Sequence, residues 1–338
     1  MNIELSAEAR EFGAAARKAF DSAGGDQLVQ QAEADPGRRA EPVASVLAGL
    51  GAWELDPRAG SDELEAAAAL CRSAGWWALA YPVAERLCRP RDLDSGGMLV
   101  VSGHAPSAAV DGLDLNWTAV TLDGRRSRAH PRADPIGPRK SAFVTALDLE
   151  PLDGAGAADV ALGLVLPCWT LLGMLDRALA LTRTYVRERE QFDQSLSAFQ
   201  GVQFQLTDAE VERAGLEELA LYGLWSIEDG RGEALEDALA LRLAAIEAAE
   251  IVFRVTHQLH GAMGFCDETT LSWVSRYSQP LRRLPLTLTE TRDELTRLLG
   301  SHALTGLFSD PQGSPGIPSD SQGSPVMAGE VRDGLRAP

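Results

Sequence analysis

The sequence predicts a mainly α fold in three parts: an N-terminal set of helices, a small β segment and a helical bundle. Three observations predict it. Over the first ninety residues, and again beyond Ala157, apolar residues recur at helical spacing, punctuated by Ser, Gly and Pro. Between about Met98 and Leu152 that period disappears and short β-type runs take its place. At 338 residues with 45% hydrophobic and 24% charged content, the chain is long enough to bury the cores of two or three packed layers.

Leu5-Ser6-Ala7-Glu8 reads as a helix start, with a serine cap and an acid in the first turn. Asp62 to Ala74 is a further helix, with Gly75 as its stop. The pair Trp76-Trp77 that follows reads as core packing rather than ligand contact. Residues 1–92 thus form an N-terminal helical domain, and 93–157 a reduced β domain. The latter carries the runs Met98–Ser102, Trp117–Leu122 and Ala142–Leu147, separated by turns such as Leu122-Asp123-Gly124. Residues 158–305 form a C-terminal bundle with candidate helices at Leu162–Arg189, Phe199–Trp225, Ala234–Gly261, Asp267–Ser278 and Thr289–Leu299. From 306 to 338 the near-duplicates Ser309-Asp-Pro-Gln-Gly-Ser-Pro315 and Ser319-Asp-Ser-Gln-Gly-Ser-Pro325 carry too few hydrophobes to pack, so a disordered tail is expected.

A net charge of −18 and a pI near 4.7 repel a phosphate backbone and exclude nucleic-acid binding. The basic stretch from Arg125-Arg126-Ser-Arg128 to Arg139-Lys140 is the local exception; it reads as a solvated loop, with a CoA phosphate as the alternative partner. Cys71, Cys88, Cys168 and Cys266 are scattered, which argues against a zinc site or a disulfide framework. His257 and His260 lie at i, i+3 without a third ligand, so no metal is expected. No apolar run reaches the roughly 18 to 20 residues of a membrane span. The first residues are polar and acidic where a secretory signal is basic and then apolar. The expectation is a cytoplasmic protein with no membrane partner.

Two segments carry the chemistry: Tyr185-Val-Arg-Glu-Arg189-Glu-Gln191-Phe192 followed by Phe199-Gln200, and Gln258-Leu-His260-Gly261-Ala262-Met263-Gly264-Phe265 with Arg276 beyond it. Together they resemble the flavin-binding signature of acyl-CoA dehydrogenases, and the order of helices, small β segment and bundle resembles that family up to Gly300. The sequence Leu50-Gly51-Ala-Trp53, then Gly75-Trp76-Trp77 and Pro82-Val-Ala-Glu85, is similar to its N-terminal domain. The resemblance implies a four-helix-bundle C-terminal domain and FAD as cofactor. Arg189, Gln191, Phe192 and Gln200 match the family's first element, and Gln258, Gly261 and Gly264 its second. Both elements bind the adenosine and diphosphate of a neighbouring subunit's FAD. An arginine fork offers bidentate hydrogen bonds to diphosphate, and glycines let backbone N–H groups approach it. Ala262 replaces one family glycine, and Asp193 stands where a glycine usually follows the phenylalanine. The bland alternative is a set of surface Arg and Gln side chains with no ligand; two elements about sixty residues apart in the family's order oppose it.

Dehydrogenation at Cα–Cβ of a thioester needs a carboxylate to take the α-proton. The family's usual base lies twenty residues after the position of Phe265, where this chain has Pro285; the alternative lies twenty-six before Arg189, where it has Gly163. Neither can abstract a proton. Asp208, in the helix after Phe199-Gln200, resembles the position used by some heteromeric actinobacterial members acting on steroid side chains, and is the candidate base. The resemblance as a whole implies one subunit of a heterotetramer, with a homologous acyl-CoA dehydrogenase subunit, an acyl-CoA substrate and an electron-transfer acceptor as partners. Two rivals stand beside it: a non-catalytic structural subunit, and a homomeric flavin oxidase or monooxygenase of the same fold.

Overall fold

The computed structural model describes residues 4–132 and 142–301; the expected tail and Arg139-Lys140 lie outside them. Helix α1 (Ala7–Ser22) starts where the Ser6 hydroxyl accepts a hydrogen bond from the Ala9 N–H at 3.2 Å, with Glu8 in its first turn. Helices α2 (Gln27–Ala34), α3 (Glu41–Gly49), α4 (Ser61–Trp76) and α5 (Val83–Leu87) complete the N-terminal layer. Both tryptophans after Gly75 pack against protein: Trp77 is buried and donates to the Arg17 carbonyl at 2.9 Å, and Trp76 lies under the Arg17 guanidinium at 4.2 Å.

Strands β1 (Gly97–Val101), β2 (Ser107–Ala108), β3 (Trp117–Thr121), β4 (Arg125–Pro131) and β5 (Thr145–Ala155) form one sheet in the order β1-β3-β4-β5-β2, with only β1 and β3 parallel. The Asp123-Gly124 turn joins β3 to β4, and Gly124 takes φ +80°. The arginines expected in a solvated loop lie instead on β4. Arg126 points inward, only 10% of its side chain exposed, and pairs with Asp92 at 2.5 Å and Asp159 at 2.9 Å. Asp159 also holds Arg58 at 2.8 Å. One buried carboxylate at the start of the next helix therefore ties the N-terminal layer to the sheet and the bundle.

That helix, α6 (Ala157–Glu188), is the centre of the molecule, burying Val160, Leu164, Trp169, Leu172 and Leu179 on several faces. By length and composition it is apolar enough to cross a membrane, against the sequence expectation of no such run, because Gly163, Pro167, Cys168 and Trp169 interrupt the aliphatics without adding charge. Within the protein, 78% of that apolar window is buried. Helices α7 (Gln200–Glu228), α8 (Ala234–His260), α9 (Thr270–Tyr277), α10 (Gln279–Arg283) and α11 (Leu288–Ser301) pack around it. This is the mainly α architecture with a small sheet that the periodicity predicts.

Helices α4 and α6 cross with their backbones in contact. A Cβ on Gly75 would stand 1.9 Å from the Thr170 carbonyl oxygen, and one on Gly173 would stand 1.9 Å from that of Arg72. Beside the crossing, Arg72 pairs with Asp176 at 2.7 Å and Glu217 at 2.6 Å, and Arg213 joins Glu217 at 2.5 Å. Burial works against the Glu217 carboxylate, yet Arg72 and Arg213 hold it below its ordinary range. Gly173→Ala must push two backbones apart and is expected to lower stability by about 1–3 kcal/mol or more in urea titration. Gly215→Ala, on α7 with nothing within 4 Å of a new Cβ, is expected to raise it by up to about 1 kcal/mol.

Candidate functional site

The two motif segments meet at one end of the bundle. Helix α6 stops at Glu188, and Arg189 leaves it in extended conformation, feeding a hairpin of β6 (Glu190–Gln191) and β7 (Gln194–Ser195). Phe192 and Asp193 form its two-residue turn at φ +55° and +62°. The second position explains the family's glycine, and aspartate is among the few side chains that tolerate it. On the other side, α8 ends at His260 and Gly261 turns the chain at φ +60° into a 3-10 turn, Gly261–Phe265.

Arg189, Gln191, Gln258 and Gly261 line a single open groove between these segments. Gln205, which the motif comparison passed over, joins them from α7 three residues beyond Val202, another lining residue on the same helical face. Arg189 is exposed and has no ion pair among the described residues. A Cβ on Gly261 would have nothing within 4 Å, so the surface there is unobstructed, while the Gly261 N–H itself caps α8 by donating to the Gln258 and His257 carbonyls.

Three other expected contacts do not line the groove. Phe192 stands at the hairpin tip, 84% exposed and edge-on to Phe199 at 6.3 Å. Gln200 is the exposed first residue of α7. Gly264 is buried because the turn folds back onto α8, where a Cβ would come within 3.1 Å of both His257 and His260. It is a packing residue. His257 stacks on Phe265 and His260 on Tyr185, each at 4.4 Å, and burial pushes both imidazoles down toward the neutral form. Asp208 is exposed on α7, one turn along from Gln205, and borders neither the groove nor the cavity below.

Both family base positions, Gly163 and Pro285, line a partly open cavity of about 100 Å³ between α5, β1, α6 and α10. At Gly163 a Cβ would meet Val100 Cγ2 at 2.5 Å and Met98 Cε at 2.9 Å, so hydrocarbon fills the place of a base. Three charged residues on the cavity wall were not singled out as site residues from the sequence: Arg39, Glu85 and Arg242. Burial pushes the Glu85 carboxyl above its ordinary range and brings Arg39 and Arg242 each down to about 10. Only Arg242 left a signal, a cation within the Ala/Leu-rich run of α8. The hairpin turn supplies a prediction: Asp193→Gly relieves the left-handed residue and raises thermal stability by up to about 1 kcal/mol, whereas Asp193→Val lowers it by more.

The family model for the acyl-CoA dehydrogenase C-terminal domain matches residues 164–284, which include the groove residues from both segments. Acyl-CoA dehydrogenase FadE27 of Mycobacterium tuberculosis is 29% identical over 204 residues, covering 54% of this chain and 48% of that protein. The chain spans about half the length of the first curated relatives it matches. Among solved structures, the ChsE4-ChsE5 complex from Mycobacterium tuberculosis superposes with a TM-score of 0.71 at 16% identity, over 89% of this chain and 100% of that one. The Tcur3481-Tcur3483 steroid ACAD G363A variant does so at 0.69 and 20%, over 88% and 99%.

The family's cofactor is FAD, and the groove fits one end of it. A guanidinium without an ion pair among the described residues and two carboxamides form a donor set for an adenosine diphosphate, and the bare surface at Gly261 leaves room for it. The groove is lined by the bundle helices, the β6–β7 hairpin and the turn after α8, not by the five-stranded sheet. Residues 164–284 match the acyl-CoA dehydrogenase C-terminal domain, and nearly the whole described chain shares the fold of the solved acyl-CoA dehydrogenases.

Proposed function

We propose that this chain is one subunit of a heteromeric, cytoplasmic, FAD-dependent acyl-CoA dehydrogenase that introduces a Cα–Cβ double bond into an acyl-CoA thioester. One observation carries the reading. Four of the seven residues expected at the dinucleotide end of FAD, Arg189, Gln191, Gln258 and Gly261, line one exposed groove, while neither family base position in the same chain bears an acid. A chain that keeps one half of the machinery and lacks the other is suited to a shared site. The likeness to the ChsE4-ChsE5 complex supports a two-subunit assembly, and the likeness to a steroid acyl-CoA dehydrogenase supports a steroid side-chain thioester as substrate. The cavity supports placing that substrate on the partner. At about 100 Å³ it is smaller than the roughly 150 Å³ void that takes up one benzene, so a fused ring system does not enter it.

FAD, when bound, supplies the two-electron oxidant for the dehydrogenation. The Arg189 fork would bind the diphosphate, the Gln191 and Gln258 carboxamides would orient the adenosine, and the missing side chain at Gly261 would let the ligand approach the backbone closely. For the α-proton, Asp208 is this chain's candidate. Exposed in the isolated chain, its carboxylate gains the dry surroundings a general base needs only where a second subunit covers α7.

Co-expression with a homologous acyl-CoA dehydrogenase subunit is expected to yield a yellow mixed oligomer, and this chain alone a colourless one. Arg189→Ala should bleach the complex without dissociating it. A yellow homo-oligomer of this chain alone would sink the shared-site reading in favour of a homomeric flavoenzyme, and a colourless mixed oligomer would leave a structural subunit. Asp208→Asn is expected to lower turnover by at least 100-fold with flavin retained; undiminished turnover would move the base to the partner.

A further inference from the structure

The cavity holds two cations without counter-ions. Arg39 is 4% exposed and Arg242 2%, and among the described residues neither forms an ion pair. Arg39 donates through Nη1 to the Ala80 carbonyl at 2.9 Å and lies 4.0 Å above the Phe143 ring, while its Nε and Nη2 are buried with no partner. Those two nitrogens form one edge of the guanidinium, the edge that meets a carboxylate through two parallel hydrogen bonds. Arg242 donates to the Leu281 and Leu286 carbonyls at 3.0 and 2.6 Å, and its Nε is likewise unpartnered. Asp111 is the acid that faces Arg39, without pairing with it. Stacking on Phe143 offsets part of the cost of burial but satisfies neither free donor.

An uncompensated buried cation is strongly unfavourable, and here two line the same cavity in a chain of net charge −18. The acid on the wall, Glu85, pairs with neither, and burial pushes its carboxyl toward the protonated form, so it opposes an incoming anion less than an exposed glutamate would. The void of about 100 Å³ limits the guest to about two to four carbons.

We propose that this cavity is a binding site for a small organic carboxylate, held side-on by the Nε and Nη2 edge of Arg39 with Arg242 as the second cation. The carboxylate is either a free short-chain acid or the tail of a dicarboxylic acyl-CoA. The site is formed within this chain and does not depend on the flavin groove.

The test is thermal melting and isothermal titration of the full chain with propionate, its neutral isostere propionamide, and chloride. Propionate is expected to raise the melting temperature and the other two to leave it unchanged. Arg39→Met should weaken propionate binding at least tenfold while leaving the unliganded melting temperature unchanged or higher, since it removes a buried charge; Arg39→Lys should also weaken binding by losing the two-pronged edge. No response to propionate, an equal response to propionamide or chloride, or binding that survives Arg39→Met would overturn the site. If Arg39→Met fails to fold, the contrast between propionate and propionamide on the unmodified chain decides alone. Titration with succinyl-CoA and butyryl-CoA separates the two sources. A tenfold advantage for succinyl-CoA that vanishes in Arg39→Met identifies an acyl tail; equal affinities beside retained propionate binding identify a free acid.

Discussion

The contact on which the rest of the structure depends is the crossing of α4 and α6 at Gly75 and Gly173. With 1.9 Å between each absent Cβ and the facing carbonyl oxygen, no other residue type fits either position without moving a helix. This close approach sets the depth at which α6 lies, and α6 in turn touches everything that matters. Its first turn holds Asp159 against Arg58 and Arg126, its second carries Gly163 onto the cavity, and the residue after its last, Arg189, enters the groove. A helix 32 residues long, about 48 Å at 1.5 Å per residue, thus connects a cavity at one part of its length with an exposed ligand face at its end.

The two regions differ in their electrostatics in a way that assigns them different tasks. In the groove Arg189 is exposed, so water solvates it until a phosphate replaces that water, and the unliganded state costs little. In the cavity Arg39 and Arg242 are nearly excluded from solvent, and their unpaired donors make the empty state the expensive one. An exposed cation suits the shared dinucleotide site proposed for the groove. Nearly buried cations suit the small carboxylate proposed for the cavity.

Periodicity gave away the three-part architecture because helices and strands announce themselves over ten or more residues, and the Ser6 cap and the Asp123-Gly124 turn are chemistry within four residues of chain. The groove was legible for a related reason: its residues fall in two short segments at chain reversals, where Arg189 and Gly261 are the kinds of residue a phosphate needs. What stayed hidden depends on distance in sequence. Gly264 looks like a second phosphate glycine until the turn is seen to rest on His257 and His260. Arg126 looks solvated until β4 brings it to Asp159, thirty-three residues away. Arg39 and Arg242 become neighbours of one cavity only after the N-terminal layer docks on the bundle, and nothing local marks Arg39 as buried.

The backbone around the groove carries a cost that the rest of the bundle does not. Phe192 and Asp193 are both left-handed, a conformation that costs an ordinary L-residue about 1–2 kcal/mol, and Gly261 takes φ +60° where α8 ends. Beside Gly163 the cost is steric instead: Val100 and Met98 occupy the space a longer side chain would need. A surface with no ligand gains nothing from a tight hairpin with a bare aromatic at its tip, 84% exposed. The same hairpin holds Gln191 and Arg189 beside Gln258 and leaves Phe192, Met263 and Phe265 exposed around the groove, the apolar surface that the proposed second subunit would cover. Strain retained beside the groove, with hydrocarbon where a base would stand, is the pattern the proposed shared site would leave in one of its subunits.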